Sequence, residues 1–129
     1  MRAFSLGAVV LSAVLLAACT TKPILNIQDA PVVSQAGKPL NADQVRAAIQ
    51  RACAALGWTV KDAGPGKLNA TIVLRSHSAE IEIPYSAATY SLIYKSSVDL
   101  RAANGQIHGN YNGWIQNLDK GIKAQMALL

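Results

Sequence analysis

Leu68-Asn69-Ala70-Thr71-Ile72-Val73-Leu74-Arg75, Glu80-Ile81-Glu82-Ile83-Pro84-Tyr85 and Tyr90-Ser91-Leu92-Ile93-Tyr94-Lys95 decide the fold. In each run, apolar residues at alternate positions face polar or small ones between them. That period of two belongs to a strand with one buried and one wet face. Ser76-His77-Ser78 and Ser86-Ala87-Ala88 separate the runs, and links this short join neighbouring strands as antiparallel hairpins. Upstream, Trp58-Thr59-Val60-Lys61 reads as a further short strand, closed by the turn Asp62-Ala63-Gly64-Pro65-Gly66. Downstream, the third run extends towards Val98 and Leu100 before a turn at Asn104-Gly105.

Helical periods flank the strands. Val45, Ala48, Ile49, Ala52, Cys53 and Leu56 recur at steps of three and one, giving one continuous helical stripe. Asn41 and Gln44 stand at capping-box positions and Gly57 at the stop. Tyr111, Trp114, Ile115, Leu118, Ile122, Met126 and Leu129 form a second stripe from about Gly109 to the last residue. One apolar sheet face and two apolar helix stripes cover each other most economically as an α+β two-layer sandwich. The expectation is a four-stranded antiparallel meander with both helices on one face, in the order α-β-β-β-β-α, over residues 41–129.

Before this domain, the chain changes character twice. Met1-Arg2 is followed by uncharged Ala3 to Ala17, an apolar stretch short of the roughly 20 residues of a bilayer-spanning helix. Leu16-Ala17-Ala18-Cys19 closes it. Charge, apolar length, small residues and cysteine in this order resemble the signal peptide and lipobox of bacterial lipoproteins. The resemblance implies removal of residues 1–18 and acylation of Cys19, hence a membrane partner held through N-terminal acyl chains. Thr20 after the cysteine, where inner-membrane lipoproteins carry Asp, implies an outer-membrane location with the domain facing the periplasm. Residues 19–40, with Pro23, Pro31 and Pro39, read as the lipidated cysteine and its tether, in which Ile24-Leu25-Asn26-Ile27 and Val32-Val33 are candidates to dock as short extended pieces.

The 129 residues suit one domain. Twelve basic residues against seven acidic leave a formal charge of +5, or +4 once Arg2 departs with the signal. A modestly basic surface favours anionic partners, such as a glycolipid. With Cys19 acylated, Cys53 has no thiol to pair with, which excludes a disulfide framework. The compartment excludes nucleic acid. Neither cofactor nor metal is expected: His77 and His108 lie far apart in sequence, Cys53 sits in an apolar stripe, and Gly64-Pro65-Gly66 is a turn instead of a phosphate loop.

Several residues are candidates for chemistry. Ser76-His77-Ser78 invites a nucleophile–base reading, but neighbours on a strand point to opposite faces and no orienting carboxylate is evident. Glu80 and Glu82, two apart on the wet face, have a spacing comparable to glycosidase pairs; Arg75, His77 and Lys95 are placed on the same face, where charge pairing accounts for them equally well. His108 and Asn112, at i and i+4, share one side of the second helix. These seven residues are the candidate ligand or partner surface; none is assigned as catalytic.

Gly57-Trp58, Arg75-Ser76-His77, the run from Tyr90 to Ser97, Ile107-His108 and the run from Tyr111 to Leu118 resemble a family of small proteobacterial lipoproteins. That resemblance implies class and location and brings no activity with it. The architecture is similar in outline to the lipopolysaccharide-assembly lipoproteins, in which two helices pack on a four-stranded sheet. The expected function is non-enzymatic: an accessory lipoprotein that binds an envelope protein or an anionic glycolipid. An inhibitor of a periplasmic enzyme is the alternative, and a small hydrolase using Glu80, Glu82 or His108 is a third.

Overall fold

The computed structural model describes residues 3, 7 and 21–129; the lipobox Leu16–Cys19 lies outside the described residues. Strands β1 (Thr21–Pro23) and β2 (Ile27–Pro31) precede helix α1 (Ala42–Ala55). Strands β3 (Trp58–Asp62), β4 (Lys67–Leu74), β5 (His77–Pro84), β6 (Thr89–Val98) and β7 (Gln106–His108) follow, and helix α2 (Gly109–Met126) comes last. The class is α+β, with two helices and an antiparallel sheet.

Helix α1 starts where a capping box satisfies otherwise unpartnered amides. Gln44 N donates to Asn41 Oδ1 at 2.8 Å, and Asn41 N donates to Gln44 Oε1 at 3.0 Å. Val45, Ala48, Ile49, Ala52 and Cys53 are buried, as their period requires. Leu56 ends the stripe partly exposed, and Gly57 takes φ +84. The small residues on α1 admit α2 closely: a Cβ built on Gly121 would stand 3.5 Å from Ala52 Cβ and 3.2 Å from Leu56 Cδ1. Helix α2 packs along its whole length, with Tyr111, Ile115, Leu118, Ile122 and Met126 buried.

Strands β3 to β6 form the expected meander, but the sheet has five strands in the order β2-β6-β5-β4-β3, and β1 pairs with β7 in a separate ribbon. The four-strand expectation is therefore corrected to seven strands in two sheets among the described residues. Two of the extra strands come from residues 21–31, which read as tether. Strands of three to five residues interrupted by proline or aspartate are too short to show a period of two. Side chains support β2 just ahead of it, where Tyr94 N donates to Asn26 Oδ1 at 2.8 Å, and at its register slip, where Asp29 N donates to Ser91 Oγ at 2.9 Å. The Asn104-Gly105 turn is present, with φ +53 and +73, the left-handed pair that a two-residue hairpin turn demands.

Leu68, Ala70, Ile72, Ala79, Ile81, Ile83, Tyr90 and Leu92 meet both helix stripes in one core. A bulge then reverses the faces of β6. Ile81 pairs with Tyr94 but Glu80 pairs with Ser96, leaving Lys95 as the extra residue. Val98, in phase with the inward residues by simple alternation, is consequently 62% exposed. Its neighbours in the row across β4 and β5 are Val73 and Ser78.

Candidate functional site

The face of the sheet turned away from the helices is polar and open. Its central rows read Thr59–Thr71–Glu80–Ser96 and Lys61–Asn69–Glu82–Ile93 across β3 to β6. Gly57, Thr59, Lys61, Asn69, Thr71, Val73 and Glu80 line a groove of about 520 Å³ on it. Asn69 Oδ1 is shielded from solvent, yet no donor among the described residues reaches it. An unpaired buried acceptor costs ~1–3 kcal/mol, so this atom favours any donor that enters the groove.

Both glutamates are neutralised on this face. Lys95 Nζ lies 3.3 Å from Glu80 Oε1, and Lys67 Nζ lies 3.7 Å from Glu82 Oε2. The bulge aims Lys95 at Glu80, and the β4–β5 register brings Lys67 alongside Glu82. Each carboxylate is compensated by its own cation on an open surface, whereas an acid–base pair needs two different environments. The arrangement suits binding better than proton transfer.

Arg75 and His77 do not share that face. Arg75 occupies the first position of the two-residue β4–β5 turn, and His77 falls on the core-side register of β5, beyond the end of the core. Ser76 and His77 converge on a residue that sequence reasoning missed, Asp99. Ser76 Oγ donates to Asp99 Oδ2 at 2.7 Å, while His77 Nδ1 lies 2.6 Å from the Asp99 carbonyl and 3.4 Å from Oδ2. A triad needs the imidazole between hydroxyl and carboxylate. Here the aspartate is the hub and binds the hydroxyl directly, which pins the β4–β5 turn to the loop after β6. Asp99 lay hidden because the pairing spans more than 20 residues of sequence.

His108 and Asn112 have structural work. His108 Nδ1 accepts from Asn110 N at 3.1 Å and caps α2. Asn112 Oδ1 accepts from Leu25 N at 3.0 Å, and its Nδ2 donates to Pro23 O at 2.9 Å. Together with the β1–β7 pairs Thr21–His108, Lys22–Ile107 and Pro23–Gln106, these bonds clamp the segment that enters from residue 20.

Among the described residues, no three His, Cys, Asp or Glu side chains gather as a metal site. Burial pushes the Cys53 thiol up to about 12, which keeps it protonated and unreactive. Tyr90, buried and donating to Asp119, and Tyr111, buried with its hydroxyl unpartnered, are likewise raised above the ordinary phenol value. No family model, curated protein or solved structure matches the chain.

Proposed function

We propose that this chain is a lipid-anchored, non-enzymatic accessory protein of the cell envelope. It is sorted to the outer membrane, faces the periplasm, and binds an envelope component on its open sheet face. The observation that carries this is Leu16-Ala17-Ala18-Cys19 at the end of a leader that is uncharged from Ala3 to Ala17, ahead of a chain already in strand β1 at Thr21. Three acyl chains on Cys19, at about 0.8 kcal/mol per buried methylene, would make attachment effectively permanent. The resemblance to small proteobacterial lipoproteins agrees with that location. The non-enzymatic part is supported by the engagement of Glu80, Glu82, His77, His108 and Asn112 in ion pairs, turns and caps.

The binding face offers hydroxyls, an amide with an unpaired oxygen, and Lys61 at the edge strand. That chemistry suits a polar ligand bearing hydroxyl and anionic groups, such as a glycolipid headgroup. The test has two parts. Cells fed radiolabelled palmitate should yield a labelled protein whose mature N-terminus is acylated Cys19, and Cys19→Ser should abolish the label. The labelled protein should bind lipopolysaccharide in a salt-sensitive way that Lys61→Ala weakens. An unlabelled, uncleaved chain refutes the anchor; absent or salt-independent binding refutes the ligand.

A further inference from the structure

If Cys19 carries the lipid, the domain has almost no tether. Only Thr20 stands between the cysteine and β1, so the acylated residue lies within about 7 Å of Thr21, at 3.3–3.6 Å per extended residue. The anchor therefore holds one particular end of the domain at the bilayer. A chain of contacts traces that end. Thr21 pairs with His108, His108 N donates to Leu100 O at 2.8 Å, and the adjacent Asp99 bonds to Ser76 and His77 at the β4–β5 turn.

The surface there is unusual in three ways. Val73, Leu74 and Val98 are 68%, 50% and 62% exposed, three of the six large hydrophobic residues exposed among those described. Arg75 directly follows Leu74 at the β4–β5 turn and Lys22 lies in β1 beside Thr21, while the carboxylate of Asp99 is occupied by Ser76 and His77. Of the six non-glycine residues with positive φ among those described, Arg75 (+56) and Asp99 (+57) are here, with Arg101 (+53) two residues on. Arg75 fills a turn position that glycine takes at no steric cost. An arginine held in that conformation at an exposed tip breaks the local rule, as residues at functional sites do.

We propose that this end of the domain docks on the anionic phospholipid surface in which Cys19 is anchored. Val73, Leu74 and Val98 enter the headgroup boundary, and Lys22 and Arg75 meet the phosphates. The inference rests on the lipoprotein reading above and adds an orientation to it. Strands β4 to β6 then stand up from the membrane, and the groove faces sideways along it. Apolar residues ringed by basic ones are what an interfacial contact requires, and each cation near an anionic surface strengthens it about five-fold.

The test uses the full-length protein purified from membranes, with the acyl mass on Cys19 checked by mass spectrometry. Because Cys19 is blocked and Cys53 buried, a fluorophore can be placed singly through Leu74→Cys, Val98→Cys or, at the opposite end of the β5–β6 hairpin, Ala87→Cys. The proteins are reconstituted into phosphatidylethanolamine–phosphatidylglycerol vesicles containing nitroxide-labelled lipid. Labels at 74 and 98 should be quenched and the label at 87 should not. Lys22→Gln and Arg75→Gln should each lower the docked-to-free ratio about five-fold, and phosphatidylcholine vesicles should lower it further. Acylated protein with all three labels unquenched, or all equally quenched, overturns the docking and leaves the anchor intact. Labels shielded only in native membranes assign the end to a protein partner and also overturn it. A bare Cys19 overturns both readings.

Discussion

Thr21 stands opposite His108, 87 residues away in sequence, in an antiparallel ribbon that joins the entry of the chain to the cap of its last helix. The pairing makes Thr21–Pro23, expected to be tether, part of the fold. Asn112 reinforces it with two bonds to the backbone of residues 23–25. Asn112→Ala would leave the Leu25 amide without its acceptor and should destabilise the domain by ~1–2 kcal/mol. Hydrogen exchange should localise the loss to β1 and β7; unchanged protection there would mean that the clamp contributes nothing.

Arg75→Gly should act in opposite directions on stability and on membrane docking. Glycine relieves a left-handed residue that costs roughly 1–2 kcal/mol but adds unfolded-state entropy of about 0.5–1 kcal/mol. A net gain of about 0.5–1 kcal/mol in denaturant unfolding is expected, alongside weaker association with anionic vesicles. Arg75→Ala, which keeps the strain and loses the charge, should weaken docking without the gain.

Stability should fall in alkali, and the sign follows from proton counting. The folded Cys53 thiol titrates near 12 against an ordinary value of 9.0, so above pH 9 the unfolded chain sheds a proton that the folded chain keeps. The contribution is complete below pH 9 and is lost as the pH rises towards 12, with Tyr90 and Tyr111, both raised, steepening the decline above their ordinary value of 10.0. Urea midpoints from pH 8 to 10 measure this, and Cys53→Ala should flatten the earliest part of the decline. Cys53→Ser should cost ~1–3 kcal/mol at neutral pH by placing a hydroxyl among apolar neighbours.

Gly113 and Gly121 lie inside α2, where glycine is weaker than alanine by ~1 kcal/mol. A methyl at Gly113 meets nothing, so Gly113→Ala should recover nearly the whole amount in thermal unfolding. At Gly121 the methyl would press on Leu56 Cδ1, the end of a partly exposed side chain that can turn away, so Gly121→Ala should gain less. Equal gains would show that Leu56 does not constrain the helix pair.

Asn69→Val should stabilise the fold by roughly 1 kcal/mol, since it removes an unpaired buried oxygen and places a β-branched residue in the middle of a strand. The same change should weaken ligand capture in the groove. Stabilisation with binding unaffected would separate the groove from the function.

Much of the architecture was legible because it is written in periods. The stripe from Val45 to Cys53 and the alternation from Leu68 to Ile83 each specify a buried face, and a face is all that packing requires. The candidate surface was legible only as residue types. Glu80, Glu82 and Lys95 proved to share a face, but His77 went to a different end and met Asp99, while His108 and Asn112 were drawn into holding the N-terminal segment. Val98 was misjudged because a single bulge exchanges inside and outside, and no local pattern announces a bulge.

The sequence by itself determined the α+β class, the position of both helices, the β3–β6 meander and the Asn41 cap. Each of these depends on residues close together along the chain, where local conformation and spacing carry the information. Only the tertiary structure decided that β1 and β2 join the sheets, that β1 pairs with β7 beside the cap of α2, and that Val73, Leu74 and Val98 are exposed around the β4–β5 turn and the end of β6. Those relationships join segments tens of residues apart. Their bonds form between backbones and between side chains whose meeting depends on the register and twist of the whole sheet.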